Sequence, residues 1–122
     1  MEYAGLTERI IGCAYHVYNT LGSGFLESIY EKCLIIEIQK IGLLVESQKA
    51  IKVYYCDQVV GSFFADIVVD NMIIVELKAV RTLTSAHEVQ LVNYLTATRL
   101  PVGLLINFGE SKVEIKRKLL SF

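Results

Sequence analysis

The hydrophobic pattern of this chain changes near residue 50, and this change limits the folds that are open to it. Residues 7–21 and 25–41 repeat apolar side chains with a period of about 3.6, which predicts two helices. Residues 51–55, 62–69 and 72–80 are rich in β-branched and aromatic side chains, which predicts three strands. Helices and a sheet must therefore pack together, as they do in α/β and α+β proteins.

A third helix and further strands follow these five elements. Ser85, with Glu88 three residues later, forms a capping-box signature that opens a helix running to about Thr98. An apolar run at 102–108 predicts a buried strand, and the segment 112–120 predicts a final one. The order of elements predicts an α/β or α+β fold with a mixed central sheet flanked by helices.

The chain has one proline and no linker, repeat or low-complexity run, which predicts a single domain over residues 1–122. Hydrophobic residues make up 53% of it and the mean hydropathy is +0.45, which raises the question of a membrane span. Charged or strongly polar residues break every apolar stretch well short of the roughly 18 residues that a span requires. The N-terminus also lacks a basic and then apolar signal peptide. We therefore expect a cytoplasmic protein.

The cysteines agree with that expectation. Cys13, Cys33 and Cys56 are widely spaced and form no CxxC pair, so we expect small core residues in a reducing compartment. Their number is too small for a zinc ribbon or an iron–sulfur cluster held by four thiolates.

The charge is nearly balanced, but it is not evenly distributed. With 12 basic and 13 acidic side chains the formal net charge is -1, which argues against a protein that coats nucleic acid non-specifically but does not exclude a small basic groove. Beyond residue 111, four basic residues stand against one glutamate and give a local charge of +3: Lys112, Lys116, Arg117 and Lys118. This last segment is a candidate contact for the phosphates of a nucleic acid.

Two charged residues interrupt the apolar segment 72–80. Glu76 and Lys78 stand two positions apart, so in a strand they share one face. Buried charges are costly unless they are paired or bound to a cation. A structural Glu–Lys pair at the exposed end of the strand is one interpretation. Asp66 favours another, because it interrupts the preceding strand and would bring a third charged group to the same place.

The turn between the two strands decides whether Asp66 and Glu76 share a face. A two-residue loop at Asp70 and Asn71 would direct Asp66 away from Glu76. A three-residue turn with Asn71 in the left-handed region would place Asp66 across from Ile74 and diagonal to Glu76. We predict the three-residue turn.

Two carboxylates in this arrangement suit Mg²⁺ or Mn²⁺, which usually bind one or two protein carboxylates together with water and substrate phosphate. Lys78 beside such a metal would lower the pKa of a bound water, orient that water or stabilise charge in the transition state. This combination predicts hydrolysis of phosphodiesters.

The third helix adds a polar stripe, because His87, Gln90 and Tyr94 are three and four residues apart. The stripe is either a solvated helix face or a set of groups that hold a phosphate or a water beside the metal. Glu27 also has two interpretations. With Gly24 as the N-cap it complements the helix dipole, or it is a further metal or water ligand.

Gly24, Glu27 and Tyr30 spell the motif GxxExxY, and the chain resembles the GxxExxY family of the PD-(D/E)XK nuclease-like superfamily. The similarity covers nearly the whole chain, including residues 21–30, the segment around Ala65 and Asp66, the VELKAV run at 75–80, the cluster of His87, Glu88 and Gln90, and the VGLLINFG run at 102–109. The resemblance implies a restriction-endonuclease-like core of α-β-β-β-α-β order, preceded by an extra N-terminal helix.

The resemblance also implies roles for the charged residues. Asp66 and Glu76 are similar to the metal carboxylates of the superfamily, Lys78 to its catalytic lysine, and Glu27 to the acidic residue on its first core helix. Mg²⁺ or Mn²⁺ is therefore the expected cofactor.

Gln90 and Tyr94 resemble the QxxxY motif of the exonuclease domains in bacterial recombination helicase–nucleases. Those relatives often carry a histidine on the N-terminal helix. In the GxxExxY pattern this histidine commonly stands three residues before the position of Leu21, where this chain has Tyr18. Either His16 takes its place or this ligand is absent.

Three functions are compatible with these features. The leading hypothesis is a metal-dependent nuclease acting on DNA or RNA. The alternatives are a non-catalytic nucleic-acid-binding or accessory module, and a structural or partner-binding protein whose charged strand residues form a buried ion-pair network. The apolar excess is compatible with a homodimer, which many nucleases of this fold form.

Overall fold

Three helices and five strands follow one another along residues 3–120, the part of the chain that the computed structural model describes. Their bounds are α1 (Ala4–Leu21), α2 (Glu27–Lys40), β1 (Val45–Tyr55), β2 (Gln58–Val69), β3 (Ile73–Lys78), α3 (Ser85–Thr98), β4 (Val102–Phe108) and β5 (Val113–Leu119). The strands lie in chain order within one mixed sheet, so that β3 is central. Strands β3 and β4 are parallel because α3 connects them, and the other neighbours are antiparallel.

Helices cover both faces of the sheet. Helices α1 and α2 pack on one face, in a cluster that includes Ile10, Leu34 and Val75. Helix α3 packs on the other face, where Leu91 joins Ile74. Adjacent residues of β3 thus enter opposite clusters, as the pleat of a strand requires. This architecture confirms the predicted α+β fold, with an N-terminal helix preceding the restriction-endonuclease-like core.

The first two helices begin at other residues than the sequence pattern predicts. Helix α1 starts at Ala4, and the Thr7 hydroxyl donates a hydrogen bond to the Ala4 carbonyl oxygen at 3.0 Å from inside the helix. The N-cap of α2 is Leu26, so the assignment of Gly24 to this position is wrong. Glu27 is the first residue of α2 and still lies in the turn where a negative charge complements the helix dipole.

Helix α3 has the predicted bounds but a different cap. Its N-cap is Thr84, whose backbone N–H donates to His87 Nδ1 at 3.2 Å. The predicted capping box of Ser85 and Glu88 is therefore wrong. Glu88 instead forms an ion pair with Lys118 of β5, with 2.7 Å between Oε1 and Nζ.

Strands β1 and β2 are longer than predicted, because cross-strand pairing extends into segments that carry no clear alternation of polar and apolar residues. Cys56 and Asp57 form the turn between them, with φ values of 49° and 61°. Cys56 is exposed there, so the expectation that all three cysteines are core residues is wrong for this one. Cys13 is buried and Cys33 half-buried, and all three are free thiols. No helix within residues 3–120 is long and apolar enough to cross a membrane.

The turn between β2 and β3 is the predicted three-residue turn, but its register differs. Residues 70–72 form it, and Asp70 and Asn71 both have left-handed φ values, 50° and 51°. Ile74 pairs with Val68, which corrects the prediction that Asp66 lies across from Ile74. The turn begins one residue later than predicted, and this moves every pair of the ladder by two positions.

Candidate active site

The register of β2 against β3 brings Asp66 and Glu76 next to each other. The backbone ladder ends at the pair of Ile67 and Val75, and the following residues connect through their side chains. The Asp66 N–H donates to Glu76 Oε1 at 3.0 Å, and the Leu77 N–H donates to Asp66 Oδ2 at 2.9 Å. In each case a carboxyl oxygen accepts the backbone N–H that a main-chain carbonyl would accept in a regular ladder. This hydrogen bond fixes one oxygen of each carboxyl group.

Strand β2 also changes the direction of its side chains at Asp66. Ala65 and Val68 both lie in the cluster under α3, whereas Ile67 lies in the cluster under α1 and α2. In a regular strand, residues 65 and 67 would share a face. The residue opposite Asp66 in β1 is Gln48, whose φ of 51° is in the left-handed region. The break in alternation lets the Asp66 carboxylate reach both neighbouring strands.

Glu76 is the most buried of the candidate carboxyl groups, with only 5% of the residue exposed. Burial, followed by the negative charge of Asp66, raises the pKa of Glu76 to about 9. The Asp66 N–H and the positive charge of Lys78 lower that pKa, but they do not offset burial. Without a cation, Glu76 therefore holds its proton at neutral pH.

The start of α2 brings Glu27 to this pair. Burial raises the pKa of Glu27, Lys78 lowers it, and Asp66 and then Glu31 raise it. Glu31, one turn along α2, also has a raised pKa because of burial, and a hydrogen bond from Gln48 opposes that shift. Glu27, Asp66 and Lys78 therefore lie in one electrostatic neighbourhood, and Glu31 and Gln48 join them.

The packing of Tyr30 explains the GxxExxY motif physically. Tyr30 is fully buried and stacks on Phe108, with 4.4 Å between the ring centroids. Its hydroxyl donates to the Gly22 carbonyl oxygen at 2.6 Å and accepts from the Phe25 N–H at 3.3 Å. These bonds hold the loop before α2, in which Gly24 has a φ of 94°. The tyrosine thus fixes the loop that delivers the first turn of the helix.

Gln90 and Tyr94 line one hollow of about 430 Å³ beside Phe63. The Tyr94 ring lies 5.4 Å from the Phe63 ring, and only 7% of Tyr94 is exposed. Burial, then Glu76 and Asp66, raises the pKa of Tyr94, so its hydroxyl remains a hydrogen-bond donor at neutral pH. Tyr94 therefore lies within electrostatic reach of the two carboxyl groups. His87 does not continue this set, because its Nδ1 accepts the hydrogen bond that caps α3.

The N-terminal helix supplies no histidine to this region. The His16 side chain is 65% exposed and lies 3.9 Å from Glu37, which is nearly three turns, or about 15 Å, along α2 from Glu27. The suggestion that His16 approaches the site is therefore wrong. Tyr18 has a structural role: its hydroxyl donates to the Gly109 carbonyl oxygen at 2.8 Å.

The four basic residues near the C-terminus do not form one surface. Lys112 lies exposed before β5, and the remaining three alternate along the strand. Lys118 pairs with Glu88 on α3, while the neighbouring Arg117 points to the opposite face of the sheet and is half-buried.

The sequence reasoning missed three residues that support the site. Gln48 stands in a segment with no strong pattern, and Glu31 is one of several charged residues of helix α2, so nothing local indicated either of them. Asn107 is fully buried at the end of β4 and accepts from the Val80 N–H at 2.9 Å while donating to the Val80 carbonyl oxygen at 2.8 Å. These two bonds hold the chain just beyond Lys78. A buried polar residue within the apolar run 102–108 was the available signal.

The donor chemistry of the site fits a divalent cation. Asp66 and Glu76 offer carboxylate oxygens, which Mg²⁺ and Mn²⁺ prefer, and a cation there would offset the mutual repulsion that raises the pKa of Glu76. Within residues 3–120, no three His, Cys, Asp or Glu side chains lie close enough to form a metal-binding group. Glu27 is thus near the pair without completing a preformed ligand set.

The fold and this carboxylate–lysine arrangement define a nuclease-like α+β protein. A model of the PD-(D/E)XK nuclease superfamily matches residues 4–118, and the chain belongs to this superfamily. The solved structure of SSO0001 has the same fold, with a TM-score of 0.60 and 17% sequence identity over 98% of this chain. The matched region spans 61% of that longer chain. A comparison with curated proteins gives no match.

Proposed function

We propose that this protein is a divalent-metal-dependent nuclease of the GxxExxY group, with a single domain over residues 1–122, that hydrolyses phosphodiester bonds of DNA or RNA. The observation that carries the proposal is the side-by-side placement of Asp66 and Glu76 at the end of their ladder. Lys78 follows on the same face of the central strand. A protein that needed only stability would gain little from two adjacent carboxyl groups, one of them buried.

The roles follow from the chemistry of each group. Asp66 and Glu76 would hold Mg²⁺ or Mn²⁺, with Glu27 as a further ligand of the metal or its water. The bound cation supplies a more acidic water and stabilises negative charge on the phosphate. The Lys78 ammonium donates hydrogen bonds to the attacking water or to the phosphate as charge develops.

Two further groups would orient the substrate. The Gln90 amide and the Tyr94 hydroxyl line one hollow and can each donate a hydrogen bond to a phosphate oxygen. In this proposal the exposed Lys112 and Lys116 contact the nucleic-acid backbone outside the site, while Lys118 stays paired with Glu88 and Arg117 lies on the opposite face of the sheet.

The test is cleavage of labelled single- and double-stranded DNA and RNA in Mg²⁺, in Mn²⁺ and in a chelator. We expect metal-dependent cleavage that falls by about 100-fold or more in Asp66→Asn and in Lys78→Met. Asp57→Asn and Lys52→Met are matched controls, because both residues are exposed and outside the site. They should cleave like the wild type.

Two results would contradict the proposal. Cleavage that persists unchanged in both site variants would come from a contaminating nuclease. A wild-type protein that neither cleaves any substrate nor binds Mn²⁺ in calorimetry would favour a structural role for the charged residues.

A further inference from the structure

Gln48 has a backbone conformation that residues other than glycine and asparagine rarely adopt. It lies within β1 with a φ of 51°, in the left-handed region that glycine and asparagine adopt more readily. Its neighbours pair regularly with β2: Ser47 with Ile67, and Lys49 with Ala65. A strained residue inside an otherwise paired strand persists only where surrounding contacts hold it, and such residues concentrate at functional sites.

The side chain of Gln48 connects two carboxyl groups. Its Nε2 donates to Glu31 Oε1 on α2 at 2.8 Å and to Asp66 Oδ1 on β2 at 3.4 Å. An amide nitrogen carries two hydrogens, so it can donate one to each acceptor. Both acceptors are acidic groups that repel each other, and the neutral amide stands between them.

The contact with Gln48 is the second hydrogen bond that holds the Asp66 carboxylate. The Leu77 N–H of β3 holds Oδ2, and the Gln48 amide of β1 contacts Oδ1, so the carboxylate is held from both neighbouring strands. A carboxylate held at both oxygens has a defined orientation, and outer groups that orient a ligand in this way strengthen metal binding.

We propose that Gln48 is a positioning residue. Its amide orients the Asp66 carboxylate for a divalent cation and keeps the negative charge of Glu31 from repelling that carboxylate out of position. The inference rests on the proposed function, because it assigns Asp66 to the cation. Gln48 itself touches neither substrate nor cation. The left-handed conformation is then the means by which β1 directs the amide towards Asp66.

The experiment is Mn²⁺ titration of the metal-free protein by calorimetry, with thermal unfolding of the same samples. Gln48→Gly removes the amide while glycine accepts the positive φ without strain. Gln48→Asn also tolerates this φ, but its amide is one methylene too short for both contacts. We expect both variants to bind Mn²⁺ about tenfold more weakly than the wild type, without a large fall in unfolding temperature.

Asp57→Gly is the matched control, since it relieves a φ of 61° in the β1–β2 turn, away from the site. It should bind Mn²⁺ like the wild type. Wild-type affinity in both Gln48 variants would overturn this inference and leave the nuclease proposal standing. Weaker binding that appears only together with a matching loss of folded protein would also overturn it. A wild type that binds no Mn²⁺ would overturn both proposals.

Discussion

Replacing Glu76 by glutamine should stabilise the metal-free protein at neutral pH. Glu76 is buried, accepts a hydrogen bond from the Asp66 N–H at Oε1 and has a pKa raised to about 9, mainly by burial. Glutamine keeps the shape and the accepting oxygen and is neutral without taking up a proton. The variant therefore removes the cost of protonating Glu76 on folding at neutral pH and little else.

The sign and the size of this stabilisation follow from the pKa values of Glu76 in the folded and the unfolded protein. The folded protein keeps the Glu76 proton up to about pH 9, whereas the unfolded chain releases it near 4.5, the ordinary pKa of a glutamate. The native state thus binds more protons across this interval, so stability is greatest below it and decreases as the pH rises through it. Between the unfolded value and pH 7, at about 1.4 kcal/mol per pH unit, the decrease is about 3 kcal/mol.

Urea unfolding in a chelator, followed from about pH 4 to about pH 9, measures this difference. The advantage of Glu76→Gln over the wild type should grow with pH and reach about 3 kcal/mol at pH 7. Glu8→Gln, at an exposed position of α1, is the control for loss of a glutamate and should show no such growth. Parallel curves for Glu76→Gln and the wild type would refute the reasoning, since they would mean that Glu76 ionises equally well in both states.

Two further substitutions test the packing around the site. Tyr30→Phe keeps the stacked ring but loses the hydroxyl that bonds to Gly22 and Phe25, so urea unfolding should show a loss of about 1–2 kcal/mol. An unchanged stability would mean that water replaces both bonds. Gly103→Ala would place a Cβ 2.6 Å from Cδ1 of the buried Leu91, and the same measurement should show a loss of about 1–3 kcal/mol from overpacking. A stability equal to the wild type would show that α3 can shift away from β4.

The elements with strong local patterns could be predicted from the sequence. The bounds of α3 and β4 match the structure because their apolar residues, together with Pro101, mark them locally. The prediction was wrong at two helix starts. Thr84 rather than Ser85 is the N-cap of α3, and Leu26 rather than Gly24 stands at the N-cap position of α2, because packing decides where a helix begins.

The sequence alone indicated Asp66, Glu76 and Lys78 as candidate site residues, because a charged side chain within an apolar strand is unusual in any fold. It also indicated the order of the helices and strands and the three-residue turn. It did not determine the pairing of the strands, since a shift of one residue in the turn changes every partner and costs little locally.

Only the tertiary structure decided how the two carboxyl groups meet. Asp66 reaches Glu76, Leu77 and Gln48 through a break in the alternation of β2. The period-two pattern of a single strand contains no sign of that break. It exists because β1 and β3, which are distant from each other in the chain, each supply one hydrogen bond to the Asp66 carboxylate, and such contacts form only once the sheet is assembled.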